Sequence, residues 1–114
     1  MELNSLSLKN VTILGSGMMG SGIAQTLSLN NYHVNMFDIS NDLLLQSNEK
    51  IKNNLDKLCS RNKISETSVK SALNNISFHL DISDAMAECD LVIEAVPENL
   101  DMKIKVLQDS DNYS

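Results

Sequence analysis

The chain contains 114 residues, of which 42% are apolar and 21% are charged. A chain of this length holds one domain, and these fractions are typical of a soluble globular protein, so we expect neither a multi-domain enzyme nor a disordered chain. Nucleic acid is not an expected partner, because the formal net charge is -6 and the nine Lys and Arg residues are scattered.

Membrane and metal functions are not indicated either. No segment approaches the roughly twenty apolar residues that cross a bilayer, and the first residues lack the basic region and apolar core of a signal peptide. Cys59 and Cys89 have no His, Cys or paired carboxylate nearby, so neither a zinc site nor a disulfide is indicated. We therefore expect a protein of the reducing cytoplasm.

The first part of the chain has the pattern strand, helix, strand. Residues 11–14 are apolar and β-branched, which predicts a strand buried on both faces. A helix is predicted from Met18 or Met19, and Asn31 can adopt the left-handed conformation that often ends a helix. Residues 33–37 predict a second strand.

The rest of the chain continues the alternation. Ser40 or Asn41 is predicted to cap a long helix that runs to about Ser60, and Ser65 to cap a short one. The later elements are a weak strand at 76–78, one or two helical turns at 83–87, a strongly apolar strand at 91–96 that Pro97 ends, and a final helix carrying Leu100, Ile104 and Leu107. This alternation predicts an α/β fold, a parallel sheet with right-handed crossovers and flanking helices.

All four glycines fall within residues 15–22. The spacing Gly15-x-Gly17-x-x-Gly20 follows a predicted strand and opens a predicted helix, the context in which this motif binds a dinucleotide. Gly15 permits the turn, Gly17 lets a diphosphate approach the backbone, and Gly20 lets the helix pack closely on the sheet. The free N–H groups at the helix start then bind phosphate with help from the helix dipole.

Asp38 follows the second predicted strand, eighteen residues after Gly20. A carboxylate at this place accepts hydrogen bonds from the adenosine ribose hydroxyls and repels a 2′-phosphate. Ile39 and Ser40 supply no Arg for such a phosphate, so NAD is favoured over NADP. The alternative interpretation is a glycine-rich turn followed by a chance aspartate.

Two blocks of sequence carry a resemblance to a known family. The first is Gly-Ser-Gly-Met-Met-Gly-Ser-Gly-Ile-Ala-Gln at residues 15–25 with Asp38, and the second is Asp-Leu-Val-Ile-Glu-Ala-Val-Pro-Glu-Asn-Leu-Asp at residues 90–101. Together they resemble the NAD-binding domain of 3-hydroxyacyl-CoA dehydrogenases, 3-hydroxybutyryl-CoA dehydrogenases included. The resemblance implies a Rossmann-type fold and an oxidoreductase of fatty-acid or butyrate metabolism, in which NAD carries the hydride between the 3-hydroxyl of an acyl-CoA and the ketone.

The resemblance also implies site residues. The cofactor-binding positions are Gly15, Ser16, Gly17, Met18, Met19, Gly20, Asp38, Glu98 and Lys103. By position, Asn54 and Arg61 correspond to residues near the end of the long second helix that touch the CoA moiety. The alternative is that Glu98 interacts only with a helix dipole and that Lys103, Asn54 and Arg61 are solvated surface residues.

The chain departs from the family in the chemistry itself. The family's catalytic His–Glu pair, its substrate-holding Ser and Asn, and its helical dimerisation domain have no counterpart among these residues. His33 and His79 do not match the catalytic position, and we expect structural roles for both. Without a general base, the chain alone is expected to be inactive.

We therefore interpret residues 1–114 as a NAD-binding domain truncated on its C-terminal side. The next sheet neighbour of strand 91–96 is expected beyond Ser114, which would leave an incomplete sheet edge prone to self-association. The alternatives are a stand-alone dinucleotide-binding module or subunit without catalytic activity, and a nonfunctional remnant that folds poorly.

Overall fold

The computed structural model describes residues 9–96 and 101–106, with only the backbone described at 95, 96, 101, 102 and 106. The elements in chain order are β1 Asn10–Leu14, α1 Met18–Leu29, β2 His33–Phe37, α2 Asn41–Ser60, α3 Glu66–Asn74, β3 Ile76–His79, α4 Ile82–Met86, β4 Leu91–Val96 and β5 Asp101–Val106. The sheet has the order β3-β2-β1-β4-β5. The strands from β3 to β4 pair in parallel, and β5 pairs antiparallel with β4.

The main core lies between one face of the sheet and helices α1 to α3. Ile13 and Met36 stand opposite each other in β1 and β2, and both are fully buried. α1 lies on their face, because a Cβ at Gly20 would be 3.5 Å from Ile13 Cγ2. Thr12 faces the other side of the sheet, where its Oγ1 donates a hydrogen bond to the Ala85 carbonyl of α4 at 2.6 Å.

The helix boundaries agree with the predicted caps. Ser40 and Ser65 accept hydrogen bonds from backbone N–H groups in the first turns of α2 and α3. Asn31 has a φ of 68°, the left-handed conformation predicted for the residue that ends α1. The α/β fold with a Rossmann-type sheet and flanking helices is thus confirmed.

The segment after Pro97 differs from the prediction. The helix expected through Leu100, Ile104 and Leu107 is wrong at Ile104, because residues Asp101–Val106 form β5, whereas Leu100 and Leu107 lie outside the described residues. Charged and apolar residues alternate along this segment, which is the period of a strand. Only residues 97–100 separate β4 from β5. So short a connection permits an antiparallel neighbour but not the crossover of a parallel one.

β5 also corrects the prediction of an unpaired β4. The partner that we expected beyond Ser114 is already present, since Ile93 of β4 pairs with Ile104 of β5. Among the strands of the described residues, β5 is therefore the outer one on this side of the sheet. Its residues Lys103, Ile104 and Lys105 are exposed.

Candidate functional site

The glycine-rich loop lies at the carboxyl edge of the parallel strands. β1 ends at Leu14 and β2 at Phe37, which stand opposite each other in the sheet. The Gly15 N–H continues this pairing by donating a hydrogen bond to the Phe37 carbonyl at 2.8 Å. The loop and Asp38 are therefore neighbours, as the sequence predicts.

Gly15 and Gly20 are required by the backbone of this loop. Gly15 has a φ of 101°, a conformation that L side chains rarely adopt. A Cβ at Gly20 would overlap with the Gly15 carbonyl oxygen. The first turn of α1 can therefore lie against the loop only because residue 20 is glycine.

Gly17 leaves the start of α1 open. It is the N-cap residue of α1, no side chain caps the helix, and the first turn contains no acidic residue. A Cβ at Gly17 would meet no protein atom within 4 Å. Backbone N–H groups at a helix start have no partner within the helix and attract anions. The open space beside Gly17 and these donors fit a diphosphate group.

The Asp38 carboxylate is connected to the loop. Its Oδ2 accepts hydrogen bonds from the Ser16 N–H at 3.1 Å and the Ser16 Oγ at 2.9 Å. Its Oδ1 accepts a hydrogen bond from the Ser40 N–H at 3.0 Å. The side chain is half-buried, so it is fixed in place and still reachable from solvent.

The same hydrogen bonds keep Asp38 ionised. Burial acts to raise the pKa of Asp38, but the N–H groups of Ser40, Ser16 and Ile39 and the Ser16 hydroxyl together hold it below its ordinary value of 3.8. At neutral pH the site therefore presents a negative charge at the end of β2. Such a charge accepts ribose hydroxyls and repels a 2′-phosphate.

A depression of ≈ 220 Å³ adjoins the loop, lined by residues of the loop, α1 and α2 that include Gly17, Met18, Gln46 and Lys50. Two buried hydroxyls lie against it that the sequence analysis missed, Ser21 in α1 and Ser47 in α2. Ser47 interrupts the apolar stripe of α2 formed by Leu44, Ile51 and Leu55. A polar residue on a buried helix face is the signal that could have drawn attention to it.

The two methionines of the loop motif differ in exposure. Met18 is 77% exposed, whereas Met19 is half-buried. Both belong to the first turn of α1. The structure thus places residues 15–20 and Asp38 together at one edge, and their role in cofactor binding stays a prediction.

Of the two remaining predicted cofactor residues, Lys103 lies at the same edge. It pairs with Glu94, which pairs with Leu14, the residue before the loop. Adjacent strands lie about 4.8 Å apart, which places the Lys103 backbone roughly 10 Å from Leu14. Lys103 belongs to strand β5 and not to the predicted helix. Glu98 lies outside the described residues.

Asn54 and Arg61 lie away from the glycine loop. Helix α2 begins beside Asp38 and runs for 20 residues, about 30 Å at 1.5 Å per residue. Arg61 is the exposed C-cap residue of this helix. Asn54 is half-buried and lines an open groove of ≈ 580 Å³ along α2, together with Lys50 and Lys57. A ligand that touches both Asn54 and Arg61 would lie along the C-terminal part of α2.

Both histidines lie in strands. His33 begins β2, at the sheet edge opposite the loop, and is exposed. His79 ends β3, and its Nε2 lies 2.9 Å from Asn35 Oδ1 of β2. This hydrogen bond joins two neighbouring strands, which supports a structural role for His79.

Metal sites and membrane-spanning helices are not found in the described part of the chain. Within residues 9–96 and 101–106, no group of three or more His, Cys, Asp or Glu side chains could hold a metal ion. Among the helices in that part of the chain, none is long and apolar enough to cross a membrane. Cys59 and Cys89 are half-buried free thiols. The cytoplasmic location stays a prediction.

Comparison with known proteins identifies the domain. The family model described as "3-hydroxyacyl-CoA dehydrogenase, NAD binding domain" matches residues 10–114. A probable 3-hydroxybutyryl-CoA dehydrogenase of Bacillus subtilis is 33% identical over 106 residues, covering 93% of this chain and 37% of that protein. A probable 3-hydroxyacyl-CoA dehydrogenase of Caenorhabditis elegans is 35% identical over 104 residues, covering 87% of this chain and 34% of that protein.

Solved structures agree with this result. The 3-hydroxybutyryl-CoA dehydrogenase of Escherichia coli K12 superposes with a TM-score of 0.75 at 32% identity, covering 78% of this chain and 19% of that chain. The (S)-3-hydroxybutyryl-CoA dehydrogenase of Ralstonia eutropha has a TM-score of 0.74 at 35% identity, covering 78% and 31%. The chain spans about a third of the length of the curated relatives described above. The family and NAD as its cofactor, both predicted from the sequence, are confirmed.

Proposed function

Because the chain belongs to the NAD-binding domain family of the 3-hydroxyacyl-CoA dehydrogenases, we propose that it binds NAD for the interconversion of a 3-hydroxyacyl-CoA and the corresponding 3-ketoacyl-CoA. The observation that carries the proposal is the position of Asp38 beside the uncapped start of α1, joined to it through Ser16. The names of the relatives from Bacillus subtilis and Caenorhabditis elegans support the substrate class.

In this proposal the chain's own residues bind and orient the dinucleotide. The backbone N–H groups at Gly17, Met18 and Met19 face the diphosphate, with Gly15 and Gly20 giving the loop its shape. Asp38 accepts hydrogen bonds from Ser16 and Ser40, and its side chain is only half-buried, so a ribose hydroxyl can still reach the carboxylate. NAD, when bound, supplies the hydride chemistry.

Lys103 and Glu98 are proposed to lie beside the cofactor on the β4 side of the loop. The register that joins Lys103 through Glu94 to Leu14 supports this for Lys103. An exposed ammonium group at this edge would also offset part of the negative charge of the dinucleotide. The placement of Glu98 is carried by the family resemblance alone.

The CoA moiety is proposed to follow α2. Asn54 and Arg61 lie on this helix or at its end, and Lys50 and Lys57 line the groove beside Asn54. CoA carries several phosphate negative charges, which cations along this helix attract. Replacing Arg61 by Ala is expected to weaken CoA binding and leave NAD binding unchanged, because Arg61 lies at the far end of α2. A variant with unchanged affinity for CoA would remove Arg61 from the proposed contact.

Removal of the hydroxyl proton is assigned to groups outside the described residues. His79 of β3 forms a hydrogen bond with Asn35 of β2. These two strands lie on one side of β1, and β4 lies on the other. His33 lies at the opposite sheet edge. This observation also favours the second candidate function, a dinucleotide-binding module or subunit without its own turnover.

Self-association is proposed through the outer edge of β5. Ile104 is 57% exposed on this strand, and pairing with a second copy would cover it. Light scattering on the purified chain tests this proposal, with Ile104→Lys as the variant expected to be monomeric. A wild-type chain that is monomeric at high concentration would refute it.

The experiment that tests the proposed function combines binding with turnover. We expect the purified chain to bind NADH, measured by its fluorescence, and to leave NADH unoxidised when acetoacetyl-CoA is added, because neither His33 nor His79 of the described residues is placed to give the ketone oxygen its proton. NADH oxidation by the chain alone would refute the assignment of this proton transfer to other groups. A folded chain that does not bind NADH would refute the proposed function.

A further inference from the structure

A chain of buried hydroxyls joins α2 to the glycine loop. Ser21 Oγ lies 2.9 Å from the Ser16 carbonyl and 2.6 Å from Ser47 Oγ. Ser47 Oγ in turn lies 3.6 Å from the Sδ of Met36. The three serines are each no more than 3% exposed. None of these contacts is needed to form α1 or α2, whose backbone hydrogen bonds are made within each helix.

The direction of the hydrogen bonds made by Ser21 and Ser47 follows from the strength of their acceptors. A separation of 2.6 Å between Ser21 Oγ and Ser47 Oγ requires a proton between the two oxygens. Ser21 has a single proton, and the Ser16 carbonyl is a better acceptor than a thioether sulfur. Ser47 therefore donates to Ser21, and Ser21 donates to the Ser16 carbonyl.

This chain of hydrogen bonds decides where the Gly17 N–H points. The described peptide bonds are all trans, so the carbonyl of Ser16 and the N–H of Gly17 lie in one rigid plane and point in opposite directions. Ser21 holds the carbonyl toward the buried α1–α2 interface. The Gly17 N–H is thereby turned away from this interface, because it points opposite to the Ser16 carbonyl.

We propose that Ser21 and Ser47 are positioning residues that orient the Ser16–Gly17 peptide for the diphosphate of the dinucleotide. The inference rests on the proposed function for the identity of the ligand, and it adds two residues on two helices to the site. It also explains why hydroxyls occupy a buried interface that apolar side chains could fill. Ser21 acts on the peptide directly, whereas Ser47 acts through Ser21.

The two serines predict an order of effects on binding. Ser21→Ala removes the donor to the Ser16 carbonyl and is expected to weaken NAD binding about tenfold, the effect of one lost hydrogen bond. Ser47→Ala leaves that donor in place but loosens it, so a smaller effect of about threefold is expected. The double variant should be no weaker than Ser21→Ala, because both residues act through one hydrogen bond.

Adenosine separates positioning from general destabilisation. Adenosine has the ribose and base of NAD but no diphosphate, so its affinity should be equal in all variants and the wild type. Ser28→Ala is the matched control, since Ser28 is a buried serine of α1 whose Oγ donates to the Gln25 carbonyl, away from the loop. This variant should bind NAD as the wild type does.

The test is a titration of the ¹⁵N-labelled full chain and its variants with NAD and with adenosine, followed by NMR. Before ligand is added, Ser21→Ala should raise the fast mobility of the Gly17 amide measured by relaxation, and Ser28→Ala should not. Unchanged Gly17 mobility in Ser21→Ala would overturn the inference even for a chain that bound no NAD. Equal losses of NAD and adenosine affinity, or additive losses in the double variant, would overturn it as well. A wild-type chain that bound no NAD while Gly17 responded as expected would refute the proposed function alone.

Discussion

The Oδ2 atom of Asp38 accepts hydrogen bonds from both the N–H and the Oγ of Ser16, at 3.1 Å and 2.9 Å. One carboxylate at the end of β2 therefore holds the loop that follows β1. The acceptor for the ribose and the donors for the diphosphate are fixed relative to each other by the protein. Binding need not order them, which limits the entropic cost of association.

Asp38→Asn is expected to weaken NAD binding roughly tenfold or more, because the ribose hydroxyl loses a charged acceptor. The same change should reduce the preference for NAD over NADP, since the charge that repels the 2′-phosphate is gone. Calorimetric titration with both dinucleotides measures the two effects. Asp42→Asn is the control, because Asp42 is an exposed residue in the first turn of α2. An Asp38→Asn variant as selective as the wild type would contradict this role.

The lowered pKa of Asp38 predicts that the free energy of unfolding decreases at acidic pH. Its folded-state pKa lies below the ordinary value of 3.8, so its ionised form stabilises the fold at any pH above that ordinary value. This contribution is lost as the pH falls through the lower, folded-state pKa. Thermal unfolding of the wild type and Asp38→Asn between neutral pH and pH 3 should show a smaller acid loss in the variant. Identical losses would mean that these hydrogen bonds do not favour the ionised carboxylate.

Gly17 and Gly22 predict opposite outcomes for the same substitution. A Cβ at either position meets no protein atom within 4 Å. Gly22→Ala lies inside α1 and should stabilise the fold by about 0.5–1 kcal/mol with NAD binding retained. Gly17→Ala should change stability by less than about 1 kcal/mol and abolish NAD binding, because its methyl group occupies the space proposed for the diphosphate. Chemical denaturation and NAD titration of both variants test this, and a Gly17→Ala chain with normal affinity would contradict the placement.

Asp90 offers a test in which stability changes and binding does not. Its Oδ2 accepts hydrogen bonds from the N–H groups of Lys9 and Asn10, each at 3.0 Å. These bonds join the start of β1 to the residue that precedes β4, at the sheet edge opposite the loop. Asp90→Ala should lower the free energy of unfolding by about 1–3 kcal/mol, since two backbone donors lose their acceptor. NAD affinity well below the unfolding temperature should stay that of the wild type, and a large loss would indicate coupling between the two edges.

The site was predictable where local chemistry alone determines the structure. The positive φ of Gly15 and the lack of space for a Cβ at residue 20 each require glycine, so both features can be predicted from the glycines in the sequence. Asp38 was predictable because a short parallel unit brings the ends of β1 and β2 to one edge. Its hydrogen bonds to Ser16 were not, because they depend on the side-chain geometry of the folded loop.

The errors arose where tertiary context decides between two patterns. Leu100, Ile104 and Leu107 have a helical spacing, whereas charged and apolar residues alternate over residues 101–106. Pairing with the open edge of β4 favours the strand. Ser21 and Ser47 were missed for a related reason. Each is an ordinary residue within its own helix, and only the packing of α1 on α2 brings the two hydroxyls to 2.6 Å.

The most direct test of the central claim is a calorimetric titration of the purified, folded chain with NAD and with NADP. The arrangement of Asp38, Ser16 and the start of α1 predicts a saturable heat with NAD. It also predicts an affinity for NADP at least about tenfold lower, the cost of placing a phosphate beside a carboxylate. A chain that unfolds cooperatively on heating but gives no heat with NAD, or binds both dinucleotides equally well, would contradict the account.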